Sequence, residues 1–228
     1  MLMTTTPRAI RDDVKNILDY LQESQLALAT NEVSMGSTRV GWHPHDRFAP
    51  LFSGRGHATV AEYLSALGAG HYSAVLYDAS IIQMTFDIEG GRVTRHRLNF
   101  VPCPYVIDLD LLTEGEPMEV VRMYADDPKQ EVALRSPVRF DYDSENATNG
   151  HPAAHLTINS DACRVACVAP MHAYRFIDFV FRHFHPSHHK AHAKFFSSAS
   201  LTHLGDRSIS DEDRHSPHIS WRTDALAG

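Results

Sequence analysis

Residues 80–100 read SIIQMTFDIEGGRVTRHRLNF, and their alternation decides the fold. Ile82, Met84, Phe86 and Ile88 alternate with Gln83, Thr85 and Asp87, the period of a strand with one buried face. The return half alternates too, with Thr94, His96, Leu98 and Phe100 on one side and Arg95, Arg97 and Asn99 on the other. A two-residue Gly90-Gly91 turn sets Met84 opposite Arg97 and mixes the faces. A three-residue Glu89-Gly90-Gly91 loop pairs Ile82 with Leu98 and Met84 with His96, keeps the faces apart, and is the expected register. It collects Gln83, Thr85, Arg95 and Arg97 on one polar side.

Residues 135–159, RSPVRFDYDSENATNGHPAAHLTIN, supply two more strands and a polar loop. Val138, Phe140, Tyr142, Leu156 and Ile158 face inward in this reading; Arg139, Asp141, Asp143, His155, Thr157 and Asn159 face outward. Residues 162–169 (ACRVACVA) form a further strand in which Cys163 and Cys167 share a face as small hydrophobes. Helices flank the strands. Ile10, Val14, Ile17, Leu18 and Leu21 recur at helical spacing, and residues 57–70 form a second helix stopped by Gly68 and Gly70. Residues 30–57 read as loop, residues 101–108 break the sheet, and residues 117–127 read as a short helix. Residues 170–186 read as a closing helix, with Pro170 in its first turn, Pro186 as its stop, and Ile177, Val180, Phe181 and Phe184 as its buried stripe.

The class is therefore α+β: an antiparallel β-sheet with helices packed on one face and the other face left to water. One domain is expected over residues 1–198, with N-terminal helices in 8–70 and the sheet and closing helix in 71–198. A polar tail covers 199–228, in which HISW could add an edge strand.

At 228 residues, 43% hydrophobic and 21% charged, the composition is that of an ordinary globular protein. No apolar run approaches the ~20 residues that span a bilayer, so no membrane partner is expected. The N-terminus lacks a signal-peptide pattern, and three cysteines without a C-x-x-C pair fit reduced thiols; a cytoplasmic location is the expectation. A net charge of −7 argues against broad electrostatic binding to nucleic acid. Histidine is in excess, with eleven of the sixteen at or after His151.

Outward Arg95, Arg97, Arg139, Asp141 and His155, with His151 above them in its loop, admit three readings. The first is a metal-independent phosphodiesterase: His151 and His155 move protons, Arg139 binds phosphate, Asp141 orients a partner, and Arg95, Arg97 and Thr157 hold substrate. The second is a metal site of His151, His155, Asp141 and Asp143, ligands that zinc or manganese accepts, which would make the protein a zinc-dependent hydrolase. The third is a solvated face that docks a protein or nucleotide. Histidines 185–192 read as a solvated basic face in which His188 and His192 could bind zinc weakly. His43 and His45 offer less. Gly54-Arg55-Gly56 lacks the strand and third glycine of a phosphate loop, no G-x-S-x-G is present, and no cofactor is expected.

Residues 134–167, followed by residues 176–186 (FIDFVFRHFHP) and joined by residues 77–104, resemble a bacterial family catalogued as domain of unknown function 2290, across roughly residues 70–190; the specific run goes from Arg139 and Asp141 through Gly150-His151-Pro152 to His155-Leu156. That family carries no assigned activity. More loosely the chain is similar to TumE-type toxins of toxin–antitoxin pairs, which order a strand pair, an arginine-aspartate strand, a histidine loop and a closing helix. The resemblance matches Arg139, Asp141, His151, His155 and the helix from Pro170. It implies RNA as substrate, a cognate protein partner, and a toxin–antitoxin or phage-defence setting. The chain departs from it in its extra N-terminal helices, in a long insertion at 102–136 and in lacking the denser histidine run of those toxins.

Overall fold

The chain starts with α1 (Pro7–Glu23), where Pro7 occupies the first turn and the Thr6 hydroxyl accepts from the Ala9 N–H at 3.1 Å. Its buried residues are Ile10, Val14, Ile17, Leu18 and Leu21, the stripe expected from their spacing. Strands β1 (Ala27–Thr30), β2 (Ser34–Met35) and β3 (Arg39–Gly41) follow, in a stretch whose apolar alternation is too short to announce them. Helix α2 (Val60–Ala69) opens on a reciprocal Thr59/Glu62 cap and closes on Gly70 at φ +70°. Then come β4 (Ala74–Leu76), β5 (Ile81–Glu89), β6 (Arg92–Val101), α3 (Leu109–Glu114), α4 (Pro117–Asp126), β7 (Val138–Asp143), β8 (Ala154–Ile158) and β9 (Arg164–Ala166). Helices α5 (Ala173–Phe184), α6 (Pro186–Ala191), α7 (Ala193–Ser198) and α8 (Asp211–Arg214) complete the order. This is a computed structural model, and it describes residues 6–42, 58–148, 150–160, 162–198 and 207–221. His43, His45 and the Gly54-Arg55-Gly56 run lie outside the described residues.

All strand pairs are antiparallel, in the order β1-β4-β5-β6-β7-β8-β9, with β3 sharing the β4 side of β5 and carrying β2. The α+β class stands. The hairpin register differs from the expected one. Glu89 pairs with Arg92 across a two-residue turn, Gly90 and Gly91 having φ +57° and +75°, the conformation such turns demand and glycine supplies. A bulge then leaves Thr94 as the extra residue, so that Asp87 meets Arg95, Met84 meets Leu98 and Ile82 meets Phe100. The extra residue sits in the strand rather than in the loop. Either placement restores the parity, so Gln83, Thr85, Arg95 and Arg97 do share a face.

Helices α1 and α5 cover the apolar face, where Met84, Phe86, Leu98, Phe100, Phe140 and Leu156 meet Ile17, Leu21, Ile177 and Phe181. The other face is not left to water. At one end α2, α3 and α4 bury Tyr63, Leu67, Leu112 and Val121 against Val75, Ile81 and Val101. Toward its middle, Gln83, Asn99, Arg139, Asp141, His155 and Thr157 are all buried. Conversely Ile158, expected inward, is exposed at the end of its strand, and Cys163 is exposed while Cys167 is buried, because β9 begins only at Arg164.

Helix α5 starts later than expected, with His172 rather than Pro170 at its threshold. The His172 Nδ1 accepts from the Tyr174 N–H, and its Nε2 sits 3.1 Å from Asp13 Oδ2 on α1. One residue earlier, the Met171 N–H donates to His96 Nε2 at 2.8 Å, in the core. Phe184 is half out of the buried stripe, although its ring lies 4.5 Å from that of Phe100.

The histidines after α5 form no solvated face. His185 Nδ1 lies 2.9 Å from the Tyr77 hydroxyl, His189 Nε2 2.8 Å from Asp178, and His192 Nδ1 2.8 Å from the Tyr20 hydroxyl. His188 lies against the Tyr77 ring. The partners are Tyr77 for His185 and His188, Asp178 for His189 and Tyr20 for His192, so the rings fasten α6 and its two ends to the body of the protein rather than converge on one point. Residues 207–221 return to the sheet: Ile219 bridges Cys167 in parallel, and Ile209 and Trp221 pack on Ala166, Val168 and Ala169.

Burial pushes the His96 imidazole down to about 4 from its ordinary 6.5. Between those values the unfolded chain takes up a proton that the folded one refuses, so stability is full above the unfolded value and falls as pH drops toward 4. The loss is about 3 kcal/mol at ~1.4 kcal/mol per unit. His96→Gln keeps an acceptor for the Met171 N–H and removes the titration. Urea unfolding of both proteins at pH 7 and pH 4 is expected to show the wild type losing about 3 kcal/mol more than the variant; equal losses would refute this role.

Candidate functional site: the buried polar face

Register arranges the polar side chains in three rows across the sheet. The first is Gln83–Asn99–Arg139–Thr157–Arg164, the second Thr85–Arg97–Asp141–His155, the third Arg39–Asp87–Arg95–Asp143. Antiparallel pairing puts directly opposed residues on one face, so each row follows from the strand order alone.

Asp141 is the centre. One of its oxygens accepts from Arg97 Nε at 2.9 Å, the other from Arg139 Nε at 2.6 Å. Burial pushes this carboxyl up, but the Arg97 and Arg139 guanidiniums, with His155, outweigh it and hold the carboxyl below its usual range. His155 Nδ1 lies 2.8 Å from the Pro152 carbonyl, which can only accept, so Nδ1 carries the hydrogen. The bare Nε2 then points toward Asp141, 3.6 Å from Oδ2. Burial lowers the His155 imidazole, and Asp141 and the Pro152 carbonyl offset only part of that. His155 is therefore neutral at pH 7, and the proton it could take up at Nε2 would be stabilised by Asp141.

His151 joins them from the loop. Thr148 and His151 exchange backbone hydrogen bonds around Gly150, whose φ of +80° makes the turn. The His151 ring stands 5.0 Å from that of His155, edge to face, and is more exposed. Thr157, next to Arg139 in the first row, has a buried hydroxyl.

The third row is separate. Arg95 Nε donates to Asp143 at 3.0 Å, Arg39 Nη2 to Asp87 at 2.8 Å, and Asn146 also binds Asp143. Burial raises the Asp143 carboxyl, but its hydrogen bonds with Asn146 and the charge of Arg95 bring it below the usual value. Arg39, Asp87, Arg95 and Asp143 line an open groove of about 260 Å³ with Glu89 and Glu145. So Arg139, Asp141, His151, His155, Arg97 and Thr157 come together, while Arg95 and Asp143 lie a row away. Among the described residues, no three His, Cys, Asp or Glu side chains are placed to hold a metal ion. Asp141 and Asp143 are each engaged by arginine.

Three participants were not anticipated. Arg39 and Asp87 meet because β3 exists, and Arg164 faces Thr157 from β9. Arg164 was visible as an outward residue of CRVAC once that run was read as a strand. The three rows carry five arginines (39, 95, 97, 139, 164) against three aspartates (87, 141, 143), a surplus of two positive charges on a chain of net charge −7.

Removing the central carboxylate takes away the negative charge that lies between the buried Arg139 and Arg97. Asp141→Asn is expected to cost about 3 kcal/mol in urea unfolding, the scale of breaking a buried pair. Asp143→Asn, which breaks a half-exposed pair with Arg95, is expected to cost at most about 1 kcal/mol. Similar costs at the two sites would remove Asp141 from its central role.

Residues 22–221 match the family described as uncharacterized conserved protein (DUF2290). No curated protein and no solved structure matches the chain. No helix among the described residues is long and apolar enough to cross a membrane.

Proposed function

Since the chain belongs to the DUF2290 family, whose description names no activity, we propose a function from the polar face itself: a metal-independent, ribonuclease-like site for phosphodiester cleavage. The observation that carries it is the line His151–His155–Asp141 under Arg97 and Arg139, a proton-handling pair backed by a carboxylate and flanked by a surplus of cations. In RNA the 2′-hydroxyl is the nucleophile and the leaving group is a 5′-oxygen, so the protein need supply only proton transfers and charge for the phosphorane. His151, the more exposed ring, would meet the substrate. His155 would take up or return the second proton at Nε2. Arg97 and Arg164, whose side chains reach solvent, would receive the phosphate. Arg139 and Asp141 would hold the geometry, and Thr157 the first row beside them. A toxin–antitoxin or phage-defence setting in the cytoplasm, with a cognate protein partner, is the context in which such an activity fits the resemblance to TumE-type toxins.

A second reading has its own support. His155 is only 3% exposed, and Asp141 already receives two guanidiniums. That is how a face would be built to stay rigid and dock a nucleotide or protein without reacting.

Labelled single-stranded RNA and a DNA control, incubated with the protein with and without chelator, separate the readings. Chelator-resistant cleavage of RNA alone is expected, falling at least about 100-fold in His151→Ala, the scale of one lost proton-transfer group. His151 is a loop residue, so this variant tests chemistry with little risk to the core. Chelator-sensitive cleavage would transfer the activity to a metal, and no cleavage by folded protein would favour the docking reading.

A further inference from the structure

A different surface carries an inference independent of the polar-face reading. Residues 102–136, which hold α3 and α4, contain eight acidic and three basic side chains, a net charge of −5 in a chain of −7. The same segment contains six of the nine exposed large hydrophobics among the described residues: Val106, Leu109, Leu111, Met123, Val132 and Leu134. Its inner side is already satisfied, with Leu112, Val120 and Val121 packed against α2 and the sheet. A surface helix normally has one apolar stripe, spent on its own core. Here a second apolar set points outward.

The outward set is held in place rather than dangling. The Ala133 N–H donates to the Pro104 carbonyl at 2.7 Å, and Arg135 Nη1 donates to the Cys103 carbonyl at 3.0 Å. The extended strip around residue 133 thus lies beside residues 103–106. Ala133 turns inward, and Val132 and Leu134, one residue to either side, turn out, Leu134 completely. The Asp108 N–H meets the Tyr124 hydroxyl at 3.1 Å, tying the start of α3 to α4.

We infer that this acidic lobe is a docking surface for a basic amphipathic segment of another protein, which would cover Val106, Val132 and Leu134 and place lysines or arginines on the surrounding carboxylates. Exposed apolar side chains gathered in one lobe mark an interaction site, and the charge selects the occupant. Two copies joined through this lobe would set −5 against −5 in a self-complementary contact. RNA and anionic lipid would be repelled for the same reason.

The test uses the full chain and a fluorescent synthetic Lys/Leu amphipathic peptide, with a Glu/Leu peptide of the same pattern as control. Fluorescence anisotropy is expected to show saturable binding of the Lys/Leu peptide only, weakened by salt. Hydrogen exchange is expected to slow within residues 103–135. Val132→Ser/Leu134→Ser is expected to bind about tenfold more weakly, the loss of two apolar anchors partly buried on binding. Both positions are exposed, so its unfolding temperature should match the wild type and separate lost docking from lost folding. Undiminished binding to the double variant, protection mapped outside the lobe, absence of binding, or a dimer of the chain dissolved by the double variant would each overturn the proposal.

Discussion

A single buried carboxylate, Asp141, makes the polar face of this sheet possible. An unpaired charge inside a protein costs several kcal/mol, and the attraction of one partner often only breaks even. Asp141 has two arginines, one from the neighbouring strand and one from its own, and faces His155 across the next. It thus links β6, β7 and β8 in the part of that face beyond the apolar packing of α2, α3 and α4. The cost of that design is the excess cation it leaves, and that cation is what a phosphate could use.

How much of this could be read from the sequence depends on what alternation can and cannot say. It assigns residues to sides of a strand, and so alternation alone groups Gln83, Thr85, Arg95, Arg97, Arg139, Asp141, His155 and Thr157 on one side. It says nothing about what covers a side. Burial of the polar side comes partly from the α2–β4 connection, where Gln83 donates to the His71 carbonyl, and no local pattern announces that. The bulge did leave a trace. Val93 is buried, out of phase with His96 and Leu98, so the return strand changes parity near Thr94. Reading the strand from Thr94 onward hid that break. The length of α1 made its stripe legible, whereas β2 and β3 are too short for any period to show.

The candidate site was legible to a similar degree and failed for a related reason. Its members were recognisable as residue types on one side, but their grouping into rows needed the strand order. With β6 beside β7, Arg97 lands on Asp141 and Arg95 lands on Asp143. One residue of difference in register would have exchanged the faces, and a difference of two would have paired Asp143 with Arg97 instead. The separation of a buried row from an exposed, fully paired one is a property of the assembled sheet.

The surplus of histidine has a physical explanation different from pH sensing. A neutral imidazole is the only ring that offers one donor and one acceptor a fixed distance apart. His96 accepts from Met171, His172 both caps α5 and meets Asp13, His155 donates to the Pro152 carbonyl, and His185 and His192 meet tyrosine hydroxyls on distant elements. In each, the ring joins two segments that are remote or turn sharply: His96, His172 and His155 meet backbone groups, and His185 and His192 meet side-chain hydroxyls. Burial lowers the imidazoles of His96, His155, His185 and His188, so all four favour the neutral form, the form that makes the bonds of His96, His155 and His185. Acid therefore acts on this protein first through its stability, as the unfolded chain gains protons the folded one declines. Within the candidate site His151 differs, being the histidine whose ring stands beside another without being buried.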